Sequence, residues 1–266
     1  MDMPRLGFGT YGRTGPEGIA AILAALEVGY QHLDTAQTYD TEREVGEAVR
    51  RSGLSRDEVF VTTKVSEENL GEKQVIPSLE RSLDALRLDH VDLALIHWPA
   101  RKGGPAPEIY LRQIAEAKER GLARHIGVSN FTIALIEEAR SILGDGAILT
   151  NQVELNPWFR NRKLADHCVA RGMIVTCYEP LARGKVGADP VLRRIADERG
   201  ATPEQVALAW ELAQGYAAIP TSRNPDRIAQ NLAAQEISLS SDELAEIDVL
   251  DRGIRSIDPA WGPDWD

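Results

Sequence analysis

Eight short apolar runs recur along this chain, with helical windows between them, and that alternation limits the possible folds more than any other feature of the sequence. The runs are Leu6 to Gly9, Gln31 to Leu33, Val59 to Thr62, Val91 to Ile96, His125 to Val128, Ile148 to Thr150, Met173 to Cys177 and Ala217 to Ile219. Each is too brief for a helix and reads as a strand buried on both faces, as parallel sheets require. Apolar residues at helical spacing fall between or after them: Ile19, Ile22, Leu23 and Leu26; Ile76, Leu79, Leu83 and Leu86; Val206, Ala209 and Leu212; Leu244 and Ile247.

Strand and helix alternate without a linker or a break in composition, which is the pattern of βαβ units. Eight parallel strands joined by right-handed crossovers can close on themselves, so the expectation is a (β/α)8 TIM barrel in one domain, residues 1–266. A barrel of this kind needs about 250 residues, close to the 266 available. Two helical windows between Cys177 and Ala217, and another after Ser240, predict extra helices before the eighth strand and near the C-terminus. A doubly wound open sheet stays open as an alternative, because counting strands does not reveal closure.

The formal net charge of −11 repels a polyphosphate backbone and argues against nucleic acid as a partner, so any bound anion needs a local basic pocket. The opening MDMPRLGFGT lacks a basic segment followed by an apolar stretch, and no apolar run is long enough to span a bilayer. A soluble, cytoplasmic protein without a membrane partner is expected, and a monomer. Cys168 and Cys177 lack the spacing of a zinc site and read as buried thiols in a reducing compartment.

Barrels of this kind react at the carboxyl ends of their strands, so the first polar residues after each run carry the functional reading. They are Asp34 after the second run, Lys64 after the third, His97 after the fourth, Ser129 and Asn130 after the fifth, Gln152 after the sixth, Tyr178 after the seventh, and Thr221 with Ser222 after the eighth. Singly, each has a plain explanation: a surface charge, a satisfied core histidine, a helix N-cap. Converging on one mouth, an ion pair, an imidazole and two amides form a chemical set. Tyr39 joins it from the loop after Asp34.

Carbonyl reduction suits that set, because a hydride reaching carbon requires a proton at the oxygen that becomes an alkoxide. A free phenol titrates near ~10, and an adjacent ammonium lowers that value. Lys64 is the expected neighbour of Tyr39, Asp34 the carboxylate that holds the ammonium, and His97 the donor that fixes the carbonyl. No metal is needed.

The words around these residues resemble the aldo-keto reductases over nearly the whole chain. GYQHLDTAQTYDTEREVG at 29–46, TTKV at 62–65, LIHWP at 95–99, GLARHIGVSNF, NQVELNP and the strand ending in Tyr178 follow that family's order. The short N-terminus, SNFTI, LAWELAQGY and the tail PDWD look like its branch acting on methylglyoxal and 2,5-diketo-D-gluconate. The resemblance implies NADPH as cofactor and Tyr39 as proton donor, supported by Asp34, Lys64 and His97. It implies that Ser129, Asn130 and Gln152 hold the nicotinamide carboxamide and that Tyr178 stacks on the ring. Pro180, Leu181 and Arg183 of EPLARGK would cross the pyrophosphate. Thr221, Ser222, Arg223 and Arg227 would surround the ribose phosphate, with Arg227 facing the 2′-phosphate, and Gln230 and Asn231 would approach the adenine. His97 and Trp98 would border the substrate.

Pro225 can open a helix whose start favours an anion, and the guanidinium forks of Arg223 and Arg227 suit a phosphate. Two departures from the family stand out. Thr221 replaces a common lysine, for which Arg223 would compensate. Ser66 replaces a tryptophan that often walls the pocket, leaving it wider or walled by Trp98, Trp261 and Trp265. Gly7, Gly9 and Gly12 match the G-x-G-x-x-G dinucleotide pattern, but too little strand precedes them and Gly15-Pro16 interrupts the segment after them, so they read as a strand-end turn.

The leading function is therefore NADPH-dependent reduction of small carbonyls, with 2-oxoaldehydes and keto-sugar acids as substrates. A nucleotide-sensing subunit on the same barrel, with negligible turnover, is the alternative. A third reading is a cofactor-free hydrolase using Asp34 with Glu154 or Glu179.

Overall fold

The computed structural model describes residues 2–266. Its strands are β1 (Phe8–Gly9), β2 (His32–Asp34), β3 (Phe60–Val65), β4 (Val91–Ile96), β5 (Ala123–Ser129), β6 (Ile148–Glu154), β7 (Ile174–Tyr178) and β8 (Ala217–Ala218). All neighbours pair in parallel, in sequence order. The helices are α1 (Gly15–Glu27), α2 (Glu42–Arg51), α3 (Val75–Leu86), α4 (Pro107–Glu119), α5 (Ile133–Leu143), α6 (Arg162–Ala170), α7 (Pro190–Arg199), α8 (Pro203–Ala213), α9 (Pro225–Ala233) and α10 (Ser241–Asp248). The extra helices fall where expected: α7 and α8 both precede β8, and α10 lies near the C-terminus.

Closure excludes the open sheet. Gly7 N donates to Ala218 O at 2.9 Å, Ala218 N to Arg5 O at 2.8 Å and Gly9 N to Pro220 O at 3.0 Å, joining the last strand to the first. Glycine is required along that seam. A Cβ on Gly7 would stand 2.7 Å from His32 Nδ1, and one on Gly9 2.8 Å from the carbonyl oxygen of Ile219. The turn reading therefore holds only for Gly12, whose φ is +71°; Gly7 and Gly9 serve the closing seam.

Alternation along each strand decides what faces inward. Val61 and Val65 of β3 join the cluster packed under the helices with Leu79 and Leu83 of α3, whereas Phe60 joins Met3, Leu93, Leu95 and Ala217 in a separate cluster. Phe60, Thr62 and Lys64 share one face, so the strand that plugs the barrel with a ring also raises an ammonium to its mouth. Burying each leucine in the helical layer contributes about 1.5–3 kcal/mol.

Five of the strands run further at their carboxyl ends than the apolar runs indicated, while β4 matches its run and β1 and β8 are shorter. Asp34, Lys64, Ser129, Gln152 and Tyr178 lie inside strands at their carboxyl ends, and β6 continues to Glu154. Asn130 is not a helix cap: that position belongs to Thr132, whose hydroxyl accepts from Leu135 N. No described helix is long and apolar enough to cross a membrane.

Candidate active site

A cleft of about 800 Å³ opens at the carboxyl ends of the strands. Of the expected site residues it is lined by Asp34, Tyr39, His97, Trp98, Asn130, Gln152, Tyr178, Pro180, Leu181, Arg183, Thr221, Ser222, Arg227, Gln230 and Asn231. Lys64, Ser129 and Arg223 do not line it.

Lys64 sits beneath the floor, fully buried, and its position in β3 aims it between β2 and the turn that carries Tyr39. Its ammonium is ion-paired to Asp34, donates to Thr35 O at 2.9 Å and reaches Tyr39 Oη at 3.3 Å. The other Asp34 oxygen accepts from Gln152 Nε2 at 2.8 Å, a link across the barrel from β6 to β2. Burial opposes the charge on Lys64, but the Asp34 carboxylate and the Tyr39 oxygen outweigh it and raise its pKa.

Tyr39 departs from expectation. Burial pushes its phenol above the ordinary value; Lys64 pulls it down, and Asp34, behind the ammonium, pushes it back up. The net direction is upward, opposite to the lowering inferred from an ammonium alone. His97 is pushed down to about 3, first by burial and then by Lys64, so its imidazole is neutral near neutral pH. Its ring stands edge-on to Tyr39 at 5.5 Å, and its Nδ1 lies 3.4 Å from the Thr38 hydroxyl.

Asn130 adopts the left-handed region at φ +62°, which asparagine tolerates better than most residues. There its Nδ2 donates to His97 O at 3.0 Å and to Ser129 Oγ at 3.1 Å, and its Oδ1 accepts from the Tyr178 hydroxyl at 2.8 Å. Ser129 Oγ donates to Gln152 O at 2.9 Å. Ser129 thus supports Asn130 from behind the wall. Burial drives the Tyr178 phenol well above its usual range, keeping it a donor.

At the far end, α9 opens with Asn224 as N-cap and Pro225 in its first turn, as the sequence indicated. Arg227 lines the cleft, but Arg223 is diverted: its Nη2 donates to Gly12 O at 2.9 Å, tying the loop before α9 to the turn after β1. Compensation for Thr221 by Arg223 is therefore not what the geometry provides.

The aromatic wall is also revised. Trp98 lines the cleft, while Trp261 and Trp265 pack edge-on behind it at 5.1 and 6.1 Å, and Ile257 from the C-terminal segment reaches the cleft. Ser66 does not line it; its hydroxyl caps the following turn at Glu68 N. Glu154 is occupied: its carboxylate accepts from Ser256 N at 2.7 and 3.0 Å and from Ile257 N at 2.7 Å. That use leaves the hydrolase reading without its second carboxylate at this position.

Thr10, Tyr11, Thr202, Glu204, Ile219, Pro220 and Ile257 also line the cleft and were not singled out from sequence. Thr10 and Tyr11 follow β1 directly, so the strand-end rule, extended to the first run, would have found them. Ile257 and Glu204 left no such signal, coming from an irregular segment and the first turn of a second crossover helix.

The donor set fits a nicotinamide dinucleotide. Tyr39 lines the cleft together with Arg227, Gln230 and Asn231 of α9, whose start at Pro225 is an anion-favouring feature. At the mouth, Gln152 presents to the cleft an amide whose Nε2 is committed to Asp34. Among the described residues no cluster could hold a metal ion.

The aldo/keto reductase family model matches residues 5–252. Methylglyoxal reductase DkgB of Salmonella typhi is 44% identical over the full length of both chains. 2,5-Diketo-D-gluconic acid reductase B of a Corynebacterium species is 38% identical over 93% of this chain and 89% of its own. Among solved structures, the aldose reductase of Schistosoma japonicum superposes with a TM-score of 0.89 at 31% identity, over 97% of this chain and 91% of that one. With its closed eight-stranded barrel and a family match across nearly its whole length, this chain belongs to the aldo/keto reductase family, an oxidoreductase acting on carbonyl compounds with a nicotinamide cofactor.

Proposed function

We propose that the protein reduces small aldehydes and ketones to alcohols with NADPH, Tyr39 acting as the general acid, and that 2-oxoaldehydes such as methylglyoxal and keto-sugar acids such as 2,5-diketo-D-gluconate are its substrates. The observation that carries this reading is the contact between Lys64 Nζ and Tyr39 Oη at 3.3 Å on the floor of the cleft. The names of the relatives at 44% and 38% identity support the substrate class.

Asn130, positioned by Ser129, and Gln152 would hold the carboxamide, Tyr178 the ring face, Pro180, Leu181 and Arg183 the pyrophosphate, Thr221, Ser222 and Arg227 the phosphorylated ribose, and Gln230 and Asn231 the adenine. The bound cofactor supplies the hydride. Tyr39 is protonated at neutral pH, so its Oη carries a proton ready for the carbonyl oxygen. As that proton leaves, negative charge develops on the phenol oxygen beside the Lys64 ammonium, which stabilises the charge where it forms. Asp34 keeps the ammonium in place. The neutral His97 lines the cleft beside Tyr39 and, in the tautomer with its proton on Nε2, offers a second donor to the same oxygen while Nδ1 accepts from Thr38. Trp98 and Ile257 add apolar wall to the cleft.

Tyr39→Phe tests the assignment. The variant is expected to lose about 10²–10⁴ in kcat for methylglyoxal while NADPH still quenches its tryptophan fluorescence. A variant as fast as the parent would remove Tyr39 from the mechanism.

A further inference from the structure

We propose that Glu204 is a cofactor-specificity residue: a carboxylate at the adenosine end of the cleft that narrows the preference for NADPH and admits NADH. The proposal rests on the reading above, which places the phosphorylated ribose near Arg227.

Glu204 stands in the first turn of α8, half-buried, and lines the same cleft as Arg227. Among the described residues, neither side chain has an ion-pair or hydrogen-bond partner. A Cβ on Gly187 would stand 2.5 Å from Glu204 Oε1, so glycine in the loop after β7 lets this carboxylate keep its present position without a shift. The capping duties of that helix start fall to Thr202 and Gln205, leaving Glu204 uncommitted.

The balance of charge around this cleft is unusual for a site that must hold a phosphate dianion. Arg223 does not line the cleft and donates to Gly12 O, Thr221 is neutral, and the other cleft arginine, Arg183, is paired to Glu179 at 3.3 Å. Among the described residues, one unpaired guanidinium, Arg227, and one unpaired carboxylate, Glu204, therefore line the same cleft. A ribose diol offers two hydroxyl donors, which a carboxylate accepts well; a 2′-phosphate offers charge of the same sign and no strong donor. Glu204 thus favours the unphosphorylated ribose and Arg227 the phosphorylated one.

Dissociation constants for NADPH and NADH, read from tryptophan quenching of the full-length protein, test this. Glu204→Gln is expected to tighten NADPH by about five-fold, the upper range for a partly exposed charge pair, without tightening NADH. The gain should shrink as salt is added, because repulsion between solvated charges is screened. An unchanged NADPH-to-NADH ratio would overturn the role of Glu204. Arg227→Ala separates the two layers of the argument: a selective loss of NADPH upholds the ribose assignment whatever Glu204 does, and equal losses of both cofactors overturn that assignment and the proposal with it.

Discussion

The Lys64 ammonium lies 3.3 Å from the Tyr39 phenol oxygen, yet the phenol is harder to ionise than a free tyrosine, because burial and the Asp34 carboxylate behind the ammonium outweigh the attraction. A general acid gains from that arrangement. The proton stays on Tyr39 over the whole neutral range, and the ammonium acts mainly when negative charge develops. This sets the pH dependence. With Tyr39 raised above ~10 and His97 near 3, neither titrates between pH 5 and 9. Single-turnover reduction should be flat across that interval and fall only as alkali removes the phenol proton. A step near pH 6.5 would mean that His97 gains charge, contrary to its burial.

Lys64 and Asp34 form a pair with both side chains sealed from water. Lys64→Met removes one partner and leaves a buried carboxylate, at a cost of about 3–5 kcal/mol, together with most of the activity. Combining it with Asp34→Asn should restore much of the melting temperature but none of the turnover. Equal melting temperatures for single and double variants would show that the pair is not coupled in stability.

Glu211 of α8 is fully buried, and neither of its carboxylate oxygens has a hydrogen-bond partner among the described residues. Burial raises its pKa well above the carboxylate value. Below the unfolded value of 4.5 both states keep the proton and the residue is neutral in its effect; above it, the unfolded chain ionises more readily, and stability is lost as pH rises toward the folded pKa. Glu211→Met should therefore raise the melting temperature at pH 8, by about 1–3 kcal/mol of stability, and the gain should shrink toward pH 4. A pH-independent difference between variant and parent would contradict this account.

Glu154 ties the irregular C-terminal segment to β6 through the amides of Ser256 and Ile257. Glu154→Ala leaves those donors without a partner, a loss of about 1.5–3 kcal/mol for a bond to a charged group. Because Ile257 lines the cleft, KM for methylglyoxal should rise more than kcat falls, and hydrogen exchange should quicken in 250–266 before it does in the barrel. Unchanged exchange in that segment would assign its attachment to the stacking of Arg255 on Phe159 instead.

Much of this protein is legible in its sequence because the signals are local. A run of three to six residues between helical windows declares a strand wherever it lies, and the first polar residues after it, such as Lys64 after Val59 to Thr62, mark the end at which a barrel reacts. Polar residues at strand ends then converge by the geometry of a barrel, and family-like words around Asp34, Tyr39, Lys64 and His97 supply the chemistry. Charge and desolvation are not local. The direction of the Tyr39 shift, the diversion of Arg223 to Gly12, the capture of Glu154 by Ser256 and Ile257, and the exposure of Glu204 to the cleft each depend on groups brought together by closure of the barrel. Composition and spacing dictate which elements form; only the packed structure decides which charges are paired, because the energy of a charge depends on its distance to others and on how much water is left around it.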